Sequence, residues 1–192
     1  MKVVSLMLLM ALVSASSLRA EESELFDPAT GMRISRYRAA VPPDVKGGKR
    51  IDIDELDEVL AKEKPLLLDV MPSEGPGADP ATGQWSIPKT HDHIPGSTWL
   101  PDVGRGRVTP ALECYFRQNL VRLTGGDKAK PIVLYCQSDC WMAWNAVRRA
   151  AGYGYTRLYW YPDGIDGWRD WERKAEPAVP VPLDPKCEDG KE

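Results

Sequence analysis

Two short, unbroken apolar runs, Leu66-Leu67-Leu68-Asp69-Val70 and Ile132-Val133-Leu134-Tyr135, constrain the fold more than any other feature of this 192-residue sequence. Neither alternates with polar residues, so each reads as a strand buried on both faces. A third strand-like run extends from Thr156 to Tyr161. Helical spacing fills the intervals. Asp52 or Asp54 caps a helix running to about Lys62, with Ile53, Leu56, Val59 and Leu60 on one face and Pro65 as the stop. A second helix runs from about Pro110 to Leu123 and ends at Gly125-Gly126, and a third runs from Trp141 to Ala151 and ends at Gly152. Strands alternating with helices predict the α/β class, a parallel β-sheet flanked by helices on both faces.

The chain around this alternating region is organised differently. Lys2, an apolar stretch from Val3 to Val13, and small residues up to Ala20 follow the three-part layout of a secretory signal peptide. The apolar stretch is about half the roughly 20 residues a membrane span requires. Cleavage after Ala20 or Ala15 is expected, with release into the periplasm and no membrane attachment afterwards. Segment 1–20 carries Lys2 and Arg19 and no acid, so its removal takes the formal charge from −3 to −5. A mildly acidic surface offers no electrostatic ground for a nucleic-acid partner. The reading divides the chain into a signal segment 1–20, an N-terminal extension 21–50, one domain over 51–176 and a tail over 177–192.

Local punctuation refines that division. Asp27-Pro28-Ala29-Thr30-Gly31 recurs as Asp79-Pro80-Ala81-Thr82-Gly83, and both copies read as turns. Ile34 to Val41 reads as extended. Pro72 to Lys89 is rich in Gly and Pro and reads as a long surface loop. The Pro- and charge-rich tail after Glu176 is expected to be loose except where Cys187 ties it down.

Cys114, Cys136, Cys140 and Cys187 are the four cysteines, and an exported chain meets an oxidising compartment. An even count is compatible with two disulfides and leaves the pairing open. Cys136 stands out because it follows the strand Ile132–Tyr135 and precedes the helix beginning near Trp141. Ligands bind beyond the carboxyl ends of parallel strands, and a helix N-terminus favours an anion. A thiolate there is the nucleophilic form of cysteine. The alternative is a buried or disulfide-bonded structural cysteine. A loop that wraps before entering a helix also brings Cys136 and Cys140 within reach of one another. Cys114 and Cys187 lack that setting and read as structural thiols or a long-range bridge.

Several segments taken in order resemble the rhodanese-like family. They are Leu67-Leu68-Asp69-Val70, His93-Ile94-Pro95-Gly96-Ser97, Tyr135-Cys136, and Gly152-Tyr153 through Gly164-Ile165-Asp166-Gly167-Trp168. The resemblance covers roughly Ile51 to Trp171. It implies a rhodanese-like fold with Cys136 as the sulfur-accepting thiol and the following residues as the active-site loop. More narrowly, Cys136-Gln137-Ser138-Asp139-Cys140-Trp141-Met142-Ala143-Trp144-Asn145-Ala146 and Tyr159-Trp160-Tyr161-Pro162 resemble the exported PQQ-dependent catabolism-associated CXXCW motif proteins. Three residues separate Cys136 from Cys140, where that family's name describes two.

Cys136 and Cys140 are therefore the expected catalytic residues, and Gln137, Ser138, Asp139 and Trp141 the substrate-binding loop. Gln137, Ser138 and Asp139 fill a loop where thiosulfate-handling relatives generally place cations, and Met71 follows Val70 where they place Arg. Asp139 also reads as a helix N-cap. His91 and His93 share a face of an extended segment and read as hydrogen-bonding residues, with metal ligation the alternative. No metal and no resident cofactor are expected, and nothing in spacing or composition indicates PQQ binding.

Two activities follow. In one, Cys136 accepts a sulfane sulfur and passes it on, a sulfurtransferase-type reaction. In the other, the protein serves PQQ-dependent alcohol oxidation, through a Cys136/Cys140 redox pair or by binding a dehydrogenase or its cytochrome partner.

Overall fold

The computed structural model describes residues 24–189; the expected signal segment 1–20 lies outside the described residues. Five short strands form one parallel sheet. In chain order they are β1 (Lys49–Arg50), β2 (Leu66–Asp69), β4 (Thr98–Trp99), β5 (Ile132–Tyr135) and β6 (Leu158–Tyr161), and their spatial order is β1-β6-β5-β2-β4. The runs that looked buried on both faces are the two central partners. Leu66 to Asp69 pair with Ile132 to Tyr135 in register. A separate antiparallel pair joins β3 (Asp92–His93) to β7 (Glu176–Pro177).

Four α-helices cover the sheet: α1 (Ile53–Glu63), α2 (Pro110–Thr124), α3 (Trp141–Gly152) and α4 (Gly164–Asp170). Strand residues of alternate parity supply two cores. Leu67, Val133, Tyr135 and Tyr161 pack with Ile53, Leu56 and Val59 of α1 and Ile165 of α4. Leu68, Leu134 and Trp160 pack with Leu112, Phe116 and Leu120 of α2 and Met142, Ala146 and Val147 of α3. Helices therefore lie on both faces. The caps follow the local sequence. Asp52 closes a reciprocal capping box with Glu55 at the start of α1, Thr109 caps α2 ahead of Pro110, and Gly125 ends α2 at a φ of 65°. No helix among the described residues is long and apolar enough to cross a membrane.

The two Asp-Pro-Ala-Thr-Gly segments fold identically. In each, the Asp carboxylate accepts from the two amides that follow Pro, and the Gly amide closes on the Asp carbonyl. Such Asx turns are set by the local sequence alone.

Two expectations need correction and one holds. The run from Ile34 to Val41 is not extended throughout, since Arg36 sits at φ 47°, and it makes one isolated bridge, Arg38 to Cys140. The segment from Pro72 to Lys89 is, as expected, a mostly exposed loop without helix or strand, and it is pinned to the tail. Trp85 Nε1 donates to Val181 O at 2.8 Å, and Leu183 N to Gly83 O at 2.9 Å. The tail is likewise not loose. Leu183 and Cys187 are buried, Tyr115 Oη donates to Val181 O, and Cys187 is bonded to Cys114 in α2. Loop and tail supply each other's backbone partners, which neither composition reveals.

Candidate functional site

Cys136 leaves the carboxyl end of β5, and Cys140 is the residue immediately before α3. Their sulfurs are bonded, with Cα atoms 6.2 Å apart, inside the range that a disulfide spans. The bond is sealed from solvent, since Cys136 is 0% and Cys140 2% exposed. Gln137 and Ser138 are half-buried and Asp139 forms the exposed crest. The turn that brings residues four apart together needs a left-handed residue, and Asp139 takes that role at φ 54°. Asp is among the few residues that visit this region readily. Asp139 is thus not the helix cap. Cys140 holds the cap position, without a side-chain cap hydrogen bond, because its sulfur is committed to Cys136.

The loop is fastened from three sides. On the first, α4 backs it. Ile165 N donates to Cys136 O at 3.0 Å, Ser138 N donates to Asp166 Oδ2 at 3.1 Å, and Ser138 Oγ donates to Asp163 O at 2.9 Å. On the second, Met71 Sδ lies 3.5 Å from Cys136 Sγ, a thioether against a sulfur and not a cation against an anion. Met71 is itself aimed by Asp69, whose Oδ1 accepts from the Met71 amide.

On the third side the N-terminal extension crosses the loop as a strap. Ala39 N donates to Asp139 O at 3.0 Å and Trp141 N donates to Tyr37 O at 2.9 Å, flanking the Arg38–Cys140 bridge. One amide of the helix N-terminus, expected to face an anion, is therefore spent on the chain's own backbone. Trp141 also faces this extension and not the crest of the loop. Its Nε1 donates to Ala40 O, Phe26 meets its ring edge-on, and the Arg33 guanidinium lies 4.8 Å from its ring centroid.

The electrostatic surroundings are acidic. Burial raises the Asp163 carboxyl above the usual carboxylate range, opposed by the Arg50 charge and reinforced by Asp52 and Asp139. An anionic substrate approaching the crest meets Asp139.

The two histidines converge on one buried carboxylate. His91 Nε2 lies 2.7 Å and His93 Nδ1 3.8 Å from Asp69 Oδ2. Burial lowers the His93 pKa, against the opposing pull of Asp69 and Glu176. Among the described residues no group of three or more His, Cys, Asp or Glu is placed to hold a metal ion.

Sequence reasoning missed Asp166, Asp163 and the Tyr37–Ala39 strap as partners of the loop. Their separations from it in the chain leave no local signal. Gly164, quoted in the sequence only as part of the segment Gly164 to Trp168, sits at φ 57°, and a Cβ there would lie 2.4 Å from Cys136 O. Gly164→Ala is expected to push the loop off α4 and cost about 2 kcal/mol through the clash and the left-handed backbone. A urea unfolding series checks this, and an unchanged midpoint sinks it.

The rhodanese-like domain family matches residues 52–170. No curated protein sequence matches the chain. Among solved structures, the human single-domain sulfurtransferase TSTD1 is 19% identical, with 65% of this chain and 96% of that one covered at a TM-score of 0.39. The polysulfide-sulfur transferase homodimer of Wolinella succinogenes is 16% identical, covering 67% of this chain and 78% of that one at 0.42. The anaerobic ergothioneine biosynthesis enzyme of Chlorobium limicola is 22% identical at 0.45, and the match covers 74% of this chain and only 34% of that enzyme.

Proposed function

Since the chain belongs to the rhodanese-like domain family, we propose that it is an exported thiol protein of that family whose Cys136 and Cys140 cycle between dithiol and disulfide. Cys136 is the attacking thiol. The observation carrying this reading is the bond between these two cysteines within one strand-to-helix loop. Loop length supports a division of labour between the two disulfides. Closing a loop across a separation of 4 residues restricts the unfolded chain by about 2 kcal/mol, against about 4 kcal/mol for the separation of 73 between Cys114 and Cys187. The short bond contributes less to stability, so opening it costs the fold less.

In this reading Gln137, Ser138 and Asp139 form the surface a substrate meets, and Trp141 anchors the strap. The secretory layout of the first 20 residues and a long-range disulfide fit a periplasmic protein. The sequence resemblance supplies the candidate partner, a PQQ-dependent dehydrogenase or its cytochrome. A second reading, Cys136 as acceptor of a sulfane sulfur, is favoured by its place at the carboxyl end of β5.

Alkylation with mass mapping across a series of redox buffers tests the proposal. Cys136 and Cys140 are expected to become alkylatable together, under conditions where Cys114–Cys187 stays closed. A Cys136 that is fully alkylatable in oxidising buffer beside an inert Cys140 would overturn the pair.

A further inference from the structure

We propose that Cys140 is a resolving thiol: a sulfane sulfur taken up by Cys136 is expelled as hydrogen sulfide when the Cys136–Cys140 disulfide closes. The inference rests on the dithiol–disulfide reading and names the substrate class of that site, a low-molecular-weight persulfide R–S–SH. In the first step the Cys136 thiolate attacks the terminal sulfur. The S–S bond of the persulfide breaks, R–S⁻ leaves and takes the proton that the Cys136 thiol gave up to become R–SH, and Cys136 carries –S–SH. In the second step Cys140 attacks Sγ of Cys136, and the bond from Sγ to the added sulfur breaks. The departing sulfur takes that electron pair and the proton Cys140 gives up. One persulfide and one dithiol become R–SH, hydrogen sulfide and the disulfide. The sulfane sulfur is reduced and the two cysteines are oxidised. A dithiol reductant then restores the starting state.

Three observations carry this. First, the sulfur Cys140 must attack is the atom it is bonded to in the structure, so the loop already has the geometry of the second step. An intramolecular thiol held this way outcompetes one diffusing from solution. Second, the closed state is covered: Cys136 is fully buried, Met71 Sδ lies 3.5 Å from its sulfur, α4 closes against its carbonyl, and the strap covers Cys140, so closing the bond withdraws both sulfurs from further reaction, and the donor meets Cys136 in the dithiol form. Third, the loop crest carries Asp139 and no cation, so a persulfide anion gains no charge partner there and its loss is favoured. Hydrosulfide is also a better leaving group than an alkyl thiolate, since the more acidic thiol departs faster.

The test uses the mature protein, selectively reduced at Cys136 and Cys140, freed of reductant and mixed with glutathione persulfide. Sulfide is followed by electrode and the protein by intact mass. Wild type is expected to release one sulfide per chain and to end as the Cys136–Cys140 disulfide. Cys140→Ser should release only the Cys136→Ser background and retain the mass of one added sulfur on Cys136. Serine is a favoured N-cap residue, so this variant keeps the start of α3, and Cys140→Ala should agree with it. Persulfide accumulating on wild-type Cys136 beside an alkylatable Cys140, or equal sulfide release from wild type and Cys140→Ser, overturns the proposal. Redox-buffer mapping of the same sample separates the two levels. A pair that closes reversibly without expelling sulfide defeats only this inference, whereas a pair that does not close defeats the redox reading as well.

Discussion

Replacing Cys114 by serine is expected to lower the unfolding free energy by about 4 kcal/mol, the largest effect of any single substitution outside the hydrophobic core. The bond it removes links residues 73 apart and fastens the tail to α2. Without it the unfolded chain regains the freedom of a long open loop. The folded chain loses the anchor of a segment that otherwise relies on a few backbone hydrogen bonds, from Val181 N to Trp99 O and from Leu183 N to Gly83 O. Chemical denaturation under non-reducing conditions measures the change, and limited proteolysis should place the first cuts in the tail. A variant as stable as wild type, with a protected tail, shows that buried Leu183 and the Tyr115–Val181 hydrogen bond hold the tail unaided.

The second large effect concerns Asn145 in α3, which is fully buried. Its Oδ1 accepts from Arg33 N at 2.9 Å, and its Nδ2 donates to Arg33 O at 2.8 Å and Gly104 O at 2.9 Å. One side chain thus fixes the N-terminal extension and the segment before α2 to the helix that begins at Cys140. Asn145→Ala leaves three buried backbone groups without partners and is expected to cost about 3 kcal/mol. Arg33 lies four residues before Tyr37, so releasing it should loosen the strap. Reduction of Cys136–Cys140 by dithiothreitol should then be faster than in wild type. If stability falls while the reduction rate is unchanged, Asn145 supports the fold and has no part in covering the disulfide.

These two variants separate positions that look alike in the linear chain. All four cysteines are spaced without a metal-binding pattern, yet one disulfide ties distant elements and the other closes a single turn. Asn145 sits between Trp144 and Ala146 in an amphipathic helix, where a lone Asn gives no sign of which face it serves. Its partners come from two segments that the sheet topology brings alongside α3.

The legible parts of the molecule are those governed by short-range physics. Two unbroken apolar runs specified central strands, since only strands covered on both faces tolerate such composition. Asp52 or Asp54, Pro110 and Gly125 marked helix ends because such signals act within one turn, and the structure selects Asp52 and adds Thr109. Both Asp-Pro-Ala-Thr-Gly turns were readable because an Asp carboxylate satisfies amides two and three residues on. Cys136 at the end of a strand and the start of a helix located the loop.

What enters that loop from elsewhere was decided by tertiary structure alone. The left-handed backbone at Asp139, the α4 carboxylate of Asp166 on the Ser138 amide, the Met71 thioether beside Cys136 and the strap over Cys140 all involve groups that meet only once the sheet has ordered its strands. The short edge strands β1 and β4, two residues each, were likewise invisible, because a pair of residues has no periodicity and pairs only when a neighbouring strand presents its edge. Local sequence sets a residue's preferences within a turn or two of chain, and it placed Cys136 and Cys140 within reach of one another. Which distant backbone amide or thioether meets that pair depends on the packing of whole elements, and here that packing covered the disulfide.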